Sequence, residues 1–395
     1  MKTVETFSFK GKKALIRVDY NVPLGESYVI QDDSRMTASL PTIQKILNDG
    51  GSVVLMSHLG RPKNGPENKF SLKHLVLHLE TLTGANIVFS YDCISQDAIN
   101  TSKNLKVGTI HLLENLRFYT EETDGDNEFA KTLSQHGDIY VNDAFGTAHR
   151  SHASTAVIAN HFQDKCFGYL MTKEIQNASM LLKDPKRPFT AIVGGAKVSD
   201  KILIIQNLLN IADHIIIGGG MAYTFKCAQG GTIGSSLFEE ERVETCRKIL
   251  EEAKEKNVQI HLPQDSVIAD HFDNKANTQN CQSDQIPEGW MGLDIGKNAI
   301  IAFTKVLAQS KTILWNGPMG VFEMSSYENG TKSIAEAVAK ATTNGAFSLI
   351  GGGDSSAAVK KFKYTNQVSY VSTGGGALLE YFEGKKLPGI VAIEG

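Results

Sequence analysis

Short apolar runs recur along this chain, and each ends in a polar or glycine-rich turn. In the first half they fall at 13–18, 52–57, 85–89, 109–113 and 138–142. In the second half they fall at 189–193, 214–217, 259–262, 312–315, 347–350 and 368–371. The runs are rich in Val, Ile and Leu and do not alternate with polar residues. That is the pattern of strands buried on both faces of a sheet. Between them lie segments with apolar residues at helical spacing, at 36–47 and 72–82 and again through Met171, Ile175, Ala178 and Leu182. The segment 291–296 reads as a turn before a helix from Lys297, and Ser355 to Phe362 as a helix capped by Asp354 or Ser355.

Strands alternating with helices predict an α/β fold with parallel sheets covered on both faces. The helix from Met171 is broken by the Asp184-Pro185-Lys186-Arg187-Pro188 run, and a second strand–helix series starts at once. The expected architecture is two lobes, each a parallel sheet of Rossmann-like type covered by helices, joined by a connector helix over 171–187 with a cleft. The first lobe is expected over 1–170 and the second over 188–383.

In parallel sheets, ligands bind beyond the carboxyl ends of the strands. In the first half those ends carry Asp19 and Asn21, then His58, Leu59, Gly60 and Arg61, then Arg117, then His149 and Arg150. Guanidinium forks suit phosphate and carboxylate groups. Five of the chain's arginines, Arg17, Arg35, Arg61, Arg117 and Arg150, fall in this half. The competing expectation is that each pairs with an acid such as Glu114 or Asp143.

The second half ends its strands in glycine instead. Gly194-Gly195-Ala196-Lys197, Gly218-Gly219-Gly220, Gly351-Gly352-Gly353-Asp354-Ser355 and Gly374-Gly375-Gly376 are bare-backbone turns, most of them ahead of helices. Such turns let amide groups approach an anion. Lys197 and Lys201 are expected on one helix face, both within reach of a phosphate chain. Asp354 is expected to hold a magnesium ion on a nucleotide phosphate. Glu323 suits ribose hydroxyls. Each also has a plainer reading, as a solvated lysine, a helix cap or a surface carboxylate.

Composition narrows the field. At 395 residues, with 41% hydrophobic and 21% charged residues, the sequence is that of a globular protein. A formal net charge of -3 offers no basic field for nucleic acid or an anionic membrane. Five scattered cysteines argue for reduced thiols and a cytoplasmic setting. The N-terminus lacks the apolar stretch of a secretory signal. No Walker-type phosphate loop, dinucleotide fingerprint or protein-kinase motif set is present. His74/His78 and His149/His152 lack the ligands that would complete a zinc site.

Eight segments occur in an order that resembles the phosphoglycerate kinase family. They are 17–23 (RVDYNVP), 57–62 (SHLGRP), 113–118 (LENLRF), 143–150 (DAFGTAHR), 194–198 (GGAKV), 315–323 (WNGPMGVFE), 351–354 (GGGD) and 372–376 (STGGG). Together they extend over nearly the whole chain. The resemblance implies reversible phosphoryl transfer from 1,3-bisphosphoglycerate to ADP, giving 3-phosphoglycerate and ATP, as in glycolysis and gluconeogenesis. It assigns 3-phosphoglycerate to the first lobe, on Asp19, Asn21, Arg35, His58, Leu59, Gly60, Arg61, Arg117 and Arg150. It assigns the nucleotide to the second lobe, on Lys201, Gly292, Glu323, Gly351, Gly352, Gly353, Asp354 and Ser355, with Asp354 beside Mg2+. Arg35, Lys197, Lys201 and Gly375 would meet the transferred phosphoryl. The tail, 384–395, would return to the first lobe. A monomer is expected, with closure about a hinge before in-line transfer. Tyr20 stands where the family usually has Phe, and the polar segment Asn274 to Gln285 departs from the pattern without an assigned role. A kinase for a different carboxylic acid and a non-catalytic nucleotide-binding protein are the rival readings.

Overall fold

The computed structural model describes residues 1–63 and 65–395. The chain divides into two compact units, Met1–Gln176 with Lys386–Gly395, and Asn177–Lys385.

The first unit is built on β1 (Lys13–Val18), β2 (Ser52–Met56), β3 (Ile87–Ser90), β4 (Ile110–Leu113), β5 (Ile139–Asp143) and β6 (Lys165–Phe167). They form one six-stranded sheet in the order β3-β4-β2-β1-β5-β6, and every pairing is parallel. Ala14 lies between Val53 of β2 and Ile139 of β5, so the first strand made is a central one. β2, β4 and β5 are buried at every position, which is why their sequences carry no polar alternation. The helix Ser34–Asn48 buries Met36, Ile43 and Ile46 in a core shared with Ile16, Val53, Leu55, Leu75 and Leu79. The closing helix, Pro388–Glu394, belongs to this unit. Gly389 donates its amide to Ala148 O at 2.8 Å and accepts from Asn142 Nδ2 at 3.3 Å. A Cβ at Gly389 would sit 3.0 Å from Thr155 Cγ2, so a bare backbone is what permits the approach.

The second unit starts with β7 (Phe189–Val193), β8 (His214–Ile217), β9 (Thr232–Ile233) and β10 (Gln259–His261). It continues with β11 (Asp265–Ala269), β12 (Thr278–Gln282), β13 (Gln285–Ile286) and β14 (Met291–Ile295). It ends with β15 (Thr312–Asn316), β16 (Phe347–Gly351) and β17 (Tyr370–Val371). The main sheet runs β10-β8-β7-β15-β16-β17, again all parallel. Its order reverses between β7 and β15, the place where doubly wound sheets bind ligands. Ile192, Phe303, Ile313, Trp315, Ile334, Val338 and Ile350 fill one side of it.

Three sequence readings are corrected. The segment 291–296 is not a turn: Met291–Ile295 is a strand, in a small antiparallel sheet ordered β12-β11-β14. Asp294 is buried there because its carboxylate accepts from Gly330 N at 2.7 Å and Ile295 N at 2.9 Å. The helix after the triple glycine starts at Gly353 with Gly352 as its N-cap at φ 91, so Asp354 lies in the first turn and caps nothing. Lys197 and Lys201 do not share a helix face, because the helix begins at Ile202 with Lys201 as N-cap.

Candidate active site

In the first unit the predicted residues gather at the carboxyl ends of β1, β2, β4 and β5. β1 runs into Asp19, which is 9% exposed. Asp19 Oδ2 accepts from Arg35 Nη1 at 3.0 Å, and Asp19 Oδ1 accepts from the amide of Asn21 at 3.3 Å. Arg35 also donates to Asn21 O at 3.2 Å, and Asn21 Oδ1 accepts from Gly60 N at 2.8 Å. Leu59 is clasped by Asn115, which accepts from Leu59 N at 3.2 Å and donates to Leu59 O at 2.7 Å. Arg117 Nη1 donates to Gly60 O at 2.9 Å. Asp19, Asn21, Arg35, Leu59, Gly60 and Arg117 are thus one hydrogen-bonded assembly.

Beside it lies an open cleft of about 490 Å³ lined by Arg61, Pro62, Arg117, Tyr119, Thr120, Thr123, Arg150 and His152. Burial, then Arg17 and Arg150, lowers the Arg117 pKa to about 10. Its Nε is buried with no protein partner among the described residues. Burial followed by Arg17, Arg117 and Arg35 holds His58 well below its ordinary 6.5, so it is neutral. Cations that depress one another's protonation are a site prepared for negative charge.

The competing expectation, that each arginine pairs with a nearby acid, is met at Arg35, which pairs with Asp19, but the two acids named for it, Glu114 and Asp143, are engaged elsewhere. Glu114 accepts from Ser71 Oγ at 2.6 Å, Leu72 N at 2.8 Å and Asn115 N at 2.8 Å. Asp143 accepts from Met171 N at 3.1 Å. Arg17 is different in another way: it is fully buried, and its guanidinium is engaged by protein atoms.

In the second unit the turns after β7, β15 and β16 meet. A Cβ at Gly194 would overlap Pro318 O, and one at Gly317 would overlap Gly194 O, so the two loops touch backbone to backbone. Lys201 Nζ donates to Asn316 Oδ1, and Asn316 Nδ2 donates to Gly351 O at 2.8 Å. Ser355 Oγ accepts from Gly317 N at 2.6 Å. Burial lowers the Lys201 pKa, while Asp200, Asp354 and Glu383 pull it back up. Lys201, Gly351, Gly352 and Ser355 are therefore brought together, with Gly353 and Asp354 exposed on the first turn of the helix that follows. Gly375 has φ +50 with nothing within 4 Å of a Cβ position. Lys197 is exposed, and its charge helps lower the carboxylate of Glu239. Gly292 lies on β14, where a side chain would collide with the Tyr223 hydroxyl. Val321 N donates to Leu293 O at 2.9 Å, tying that strand to the loop that carries exposed Glu323.

Asn316 was not singled out from sequence, although it joins two strand ends and a lysine. The available signal was an asparagine ending a wholly buried strand, just before Gly-Pro. Glu122, Ser154 and Asn115 were missed because a buried polar residue looks like a surface one until its partners are known.

No cluster of three or more metal-ligating side chains occurs among the described residues. A single exposed carboxylate, Asp354, fits a magnesium ion that takes its other ligands from water and phosphate oxygens.

An arginine-rich rim in one unit and a lysine- and amide-lined rim in the other define a class, the α/β phosphotransferases built of two sheet-based units. The comparisons agree and go further. The phosphoglycerate kinase family model matches residues 4–385. A phosphoglycerate kinase of Porphyromonas gingivalis is 52% identical over 418 aligned positions, covering all of both chains. The solved phosphoglycerate kinase of Coxiella burnetii superposes with a TM-score of 0.89 at 40% identity, over 99% of this chain and 98% of that one. That of Pyrococcus horikoshii gives 0.84 at 31% identity, over 100% and 98%. The chain belongs to the phosphoglycerate kinase family. It is a phosphotransferase with a carboxyl group as acceptor.

Proposed function

We propose that the chain binds 3-phosphoglycerate and 1,3-bisphosphoglycerate in its first unit and ADP or ATP in its second, and moves the phosphoryl group directly between them. Asp19, Asn21, Arg35, His58, Leu59, Gly60, Arg61, Arg117 and Arg150 hold the phosphoglycerate. The observation that carries this reading is the crowding of buried cationic groups: burial with Arg17 and Arg150 lowers Arg117, and burial with Arg17, Arg117 and Arg35 lowers His58. An anion placed among these groups relieves repulsion that the free protein carries.

Lys201, Gly292, Glu323 and 351–355 hold the nucleotide, with Asp354 toward magnesium. When bound, the ion neutralises charge on the nucleotide phosphates. Arg35, Lys197, Lys201 and the Gly375 turn stabilise the phosphoryl group in flight. The carboxylate of 3-phosphoglycerate and the terminal oxygen of ADP are both ionised near neutral pH. The chain therefore supplies placement and charge, and no side-chain base or nucleophile. The neutral state of His58 fits this, since its task is to donate a hydrogen bond. Direct transfer requires the two substrates to be presented to each other, and hinge closure is the motion proposed for it. The same reading expects a cytoplasmic monomer that needs neither nucleic acid nor membrane. No described helix is long and apolar enough to cross a bilayer.

The test is a coupled assay with 3-phosphoglycerate and MgATP, repeated without magnesium and with acetate or aspartate as acceptor. Turnover confined to 3-phosphoglycerate and dependent on magnesium supports the proposal. Turnover with another acid alone would overturn the substrate. Small-angle scattering with both substrates bound checks closure, and light scattering after gel filtration checks the monomer.

A further inference from the structure

Arg17 occupies the fifth position of β1 and is completely buried. A buried guanidinium without compensation is strongly unfavourable. Its Nη1 donates to Val18 O, its Nε donates to Ser154 Oγ at 2.8 Å, and its Nη2 lies 3.1 Å from His58 Nδ1. No carboxylate touches it in these bonds. The balancing charge sits one hydroxyl further away. Ser154 Oγ and Ser154 N both donate to Glu122, at 2.6 Å and 2.9 Å, and Glu122 is also fully buried.

The donors in this chain can be assigned without ambiguity. A guanidinium has no lone pair to offer, so Arg17 donates at both contacts. Ser154 Oγ therefore accepts from Arg17 and spends its single hydrogen on Glu122. His58 Nδ1 must accept, so the imidazole hydrogen sits on Nε2. A proton on Nδ1 would point at the guanidinium. His58 is thereby fixed as a neutral ring with one donor, at Nε2. Asp19 Oδ1, 4.0 Å from Nδ1, is beyond hydrogen-bond range and does not compete.

We infer that Glu122 and Ser154 are positioning residues, which act through the Arg17 guanidinium to lock the tautomer and orientation of His58. The inference rests on the reading of His58 as a phosphoglycerate ligand. Neither residue need touch substrate. The relay joins the helix Thr120–Asp124, the 152–155 turn, β1 and the end of β2. His152 borders the same carboxylate, with Nδ1 3.7 Å from Glu122 Oε1.

The test compares Glu122→Gln, Ser154→Ala and Ser154→Thr with the unaltered protein. Steady-state kinetics give KM for each substrate, and long-range 15N–1H correlation spectra of 15N-histidine protein read the His58 tautomer. Loss of one buried charged partner predicts a rise of about tenfold in KM for 3-phosphoglycerate. KM for ATP should be unchanged, and the Nδ1-protonated form of His58 should appear. Ser154→Thr keeps the hydroxyl and should restore both readouts. Wild-type KM and wild-type tautomer in folded Glu122→Gln and Ser154→Ala would overturn the relay. A general loss of folding in Glu122→Gln leaves the serine pair decisive. The unaltered protein is itself a test, because His58 found protonated at Nδ1 at neutral pH overturns the assignment. If His58→Ala leaves KM for 3-phosphoglycerate unchanged, the ligand role of His58 fails, while the tautomer lock is still judged by the spectra.

Discussion

Two buried histidines make the stability of the first unit depend on pH in a way that can be worked out. His136 Nε2 lies 2.9 Å from Cys93 O, so it donates there, and its Nδ1 accepts from Ser102 Oγ at 2.6 Å. Ser102 Oγ must then accept from His111 Nδ1 at 2.8 Å, leaving His111 Nε2 to accept from Ser90 Oγ at 2.8 Å. Both rings are neutral in this arrangement, and a proton added to either meets a hydrogen already in place. Burial, reinforced by His136, lowers His111 from 6.5 to about 4. Burial also lowers His136 from 6.5 to about 4, against the bond to Cys93 O and with the charge of Lys103.

A histidine with a depressed folded-state pKa costs nothing above pH 6.5 and withdraws stability as the pH falls toward 4, because the unfolded chain binds the proton first. At pH 5 the loss is about 2 kcal/mol for each ring. Burial raises Asp143 and Asp294 to about 7, which acts in the opposite direction by favouring the folded state below neutrality. The unaltered protein's curve therefore mixes signs, and the contribution must be isolated by difference. His136→Gln is the perturbation, and urea unfolding followed by far-UV circular dichroism is the assay. Hydrogen exchange in β3 and β4 localises the effect. Tryptophan fluorescence would miss it, since Trp290 and Trp315 both lie in the second unit. The variant should be less stable at pH 7.5, and the gap should narrow by about 2 kcal/mol at pH 5. A gap constant across that range would refute the argument that the ring is held neutral by its surroundings.

Four substitutions test the site. Gly353→Ala should leave the melting temperature unchanged, because nothing lies within 4 Å of the added methyl, yet raise KM for the nucleotide. Gly60→Ala should do the reverse in part: the methyl overlaps the Phe70 ring at φ +64, costing about 1–3 kcal/mol and weakening 3-phosphoglycerate binding, as thermal melts and KM would show. Asn316→Ala unties Lys201 from Gly351 and should lower kcat roughly tenfold or more while the protein stays folded by circular dichroism. Arg61→Ala should raise KM for 3-phosphoglycerate and leave stability within about 0.5 kcal/mol, since Arg61 is exposed.

The two parallel sheets were legible because a strand buried on both faces has nowhere to put polar residues. β1 and β7 match their apolar runs residue for residue. β14 was not legible, since Gly292 and Asp294 read as turn residues. Their hydrogen-bond partners, the Ser236 hydroxyl and the Gly330 amide, lie far away in sequence. β12 was hidden for the opposite reason: four of its five residues are exposed, so no periodicity marks it. In the site, the arginines were visible as a set, but the seclusion of Arg17 was not. Its role depends on Glu122 and Ser154, which no spacing rule connects to it. The misplacement of Lys197 followed from assuming that a helix begins where the glycines end. The chain delays it to Ile202.

The helix Pro388–Glu394 gives the protein an unusual assembly order. Its Gly389 backbone bonds to Ala148 and Asn142, so the first unit is assembled from segments that lie before and after the whole of the second unit in the sequence. The second unit has its whole sequence in hand slightly earlier. A growing chain must therefore be made past Gly389 before the first unit can close, by which point every strand of the interposed second unit has already been synthesised.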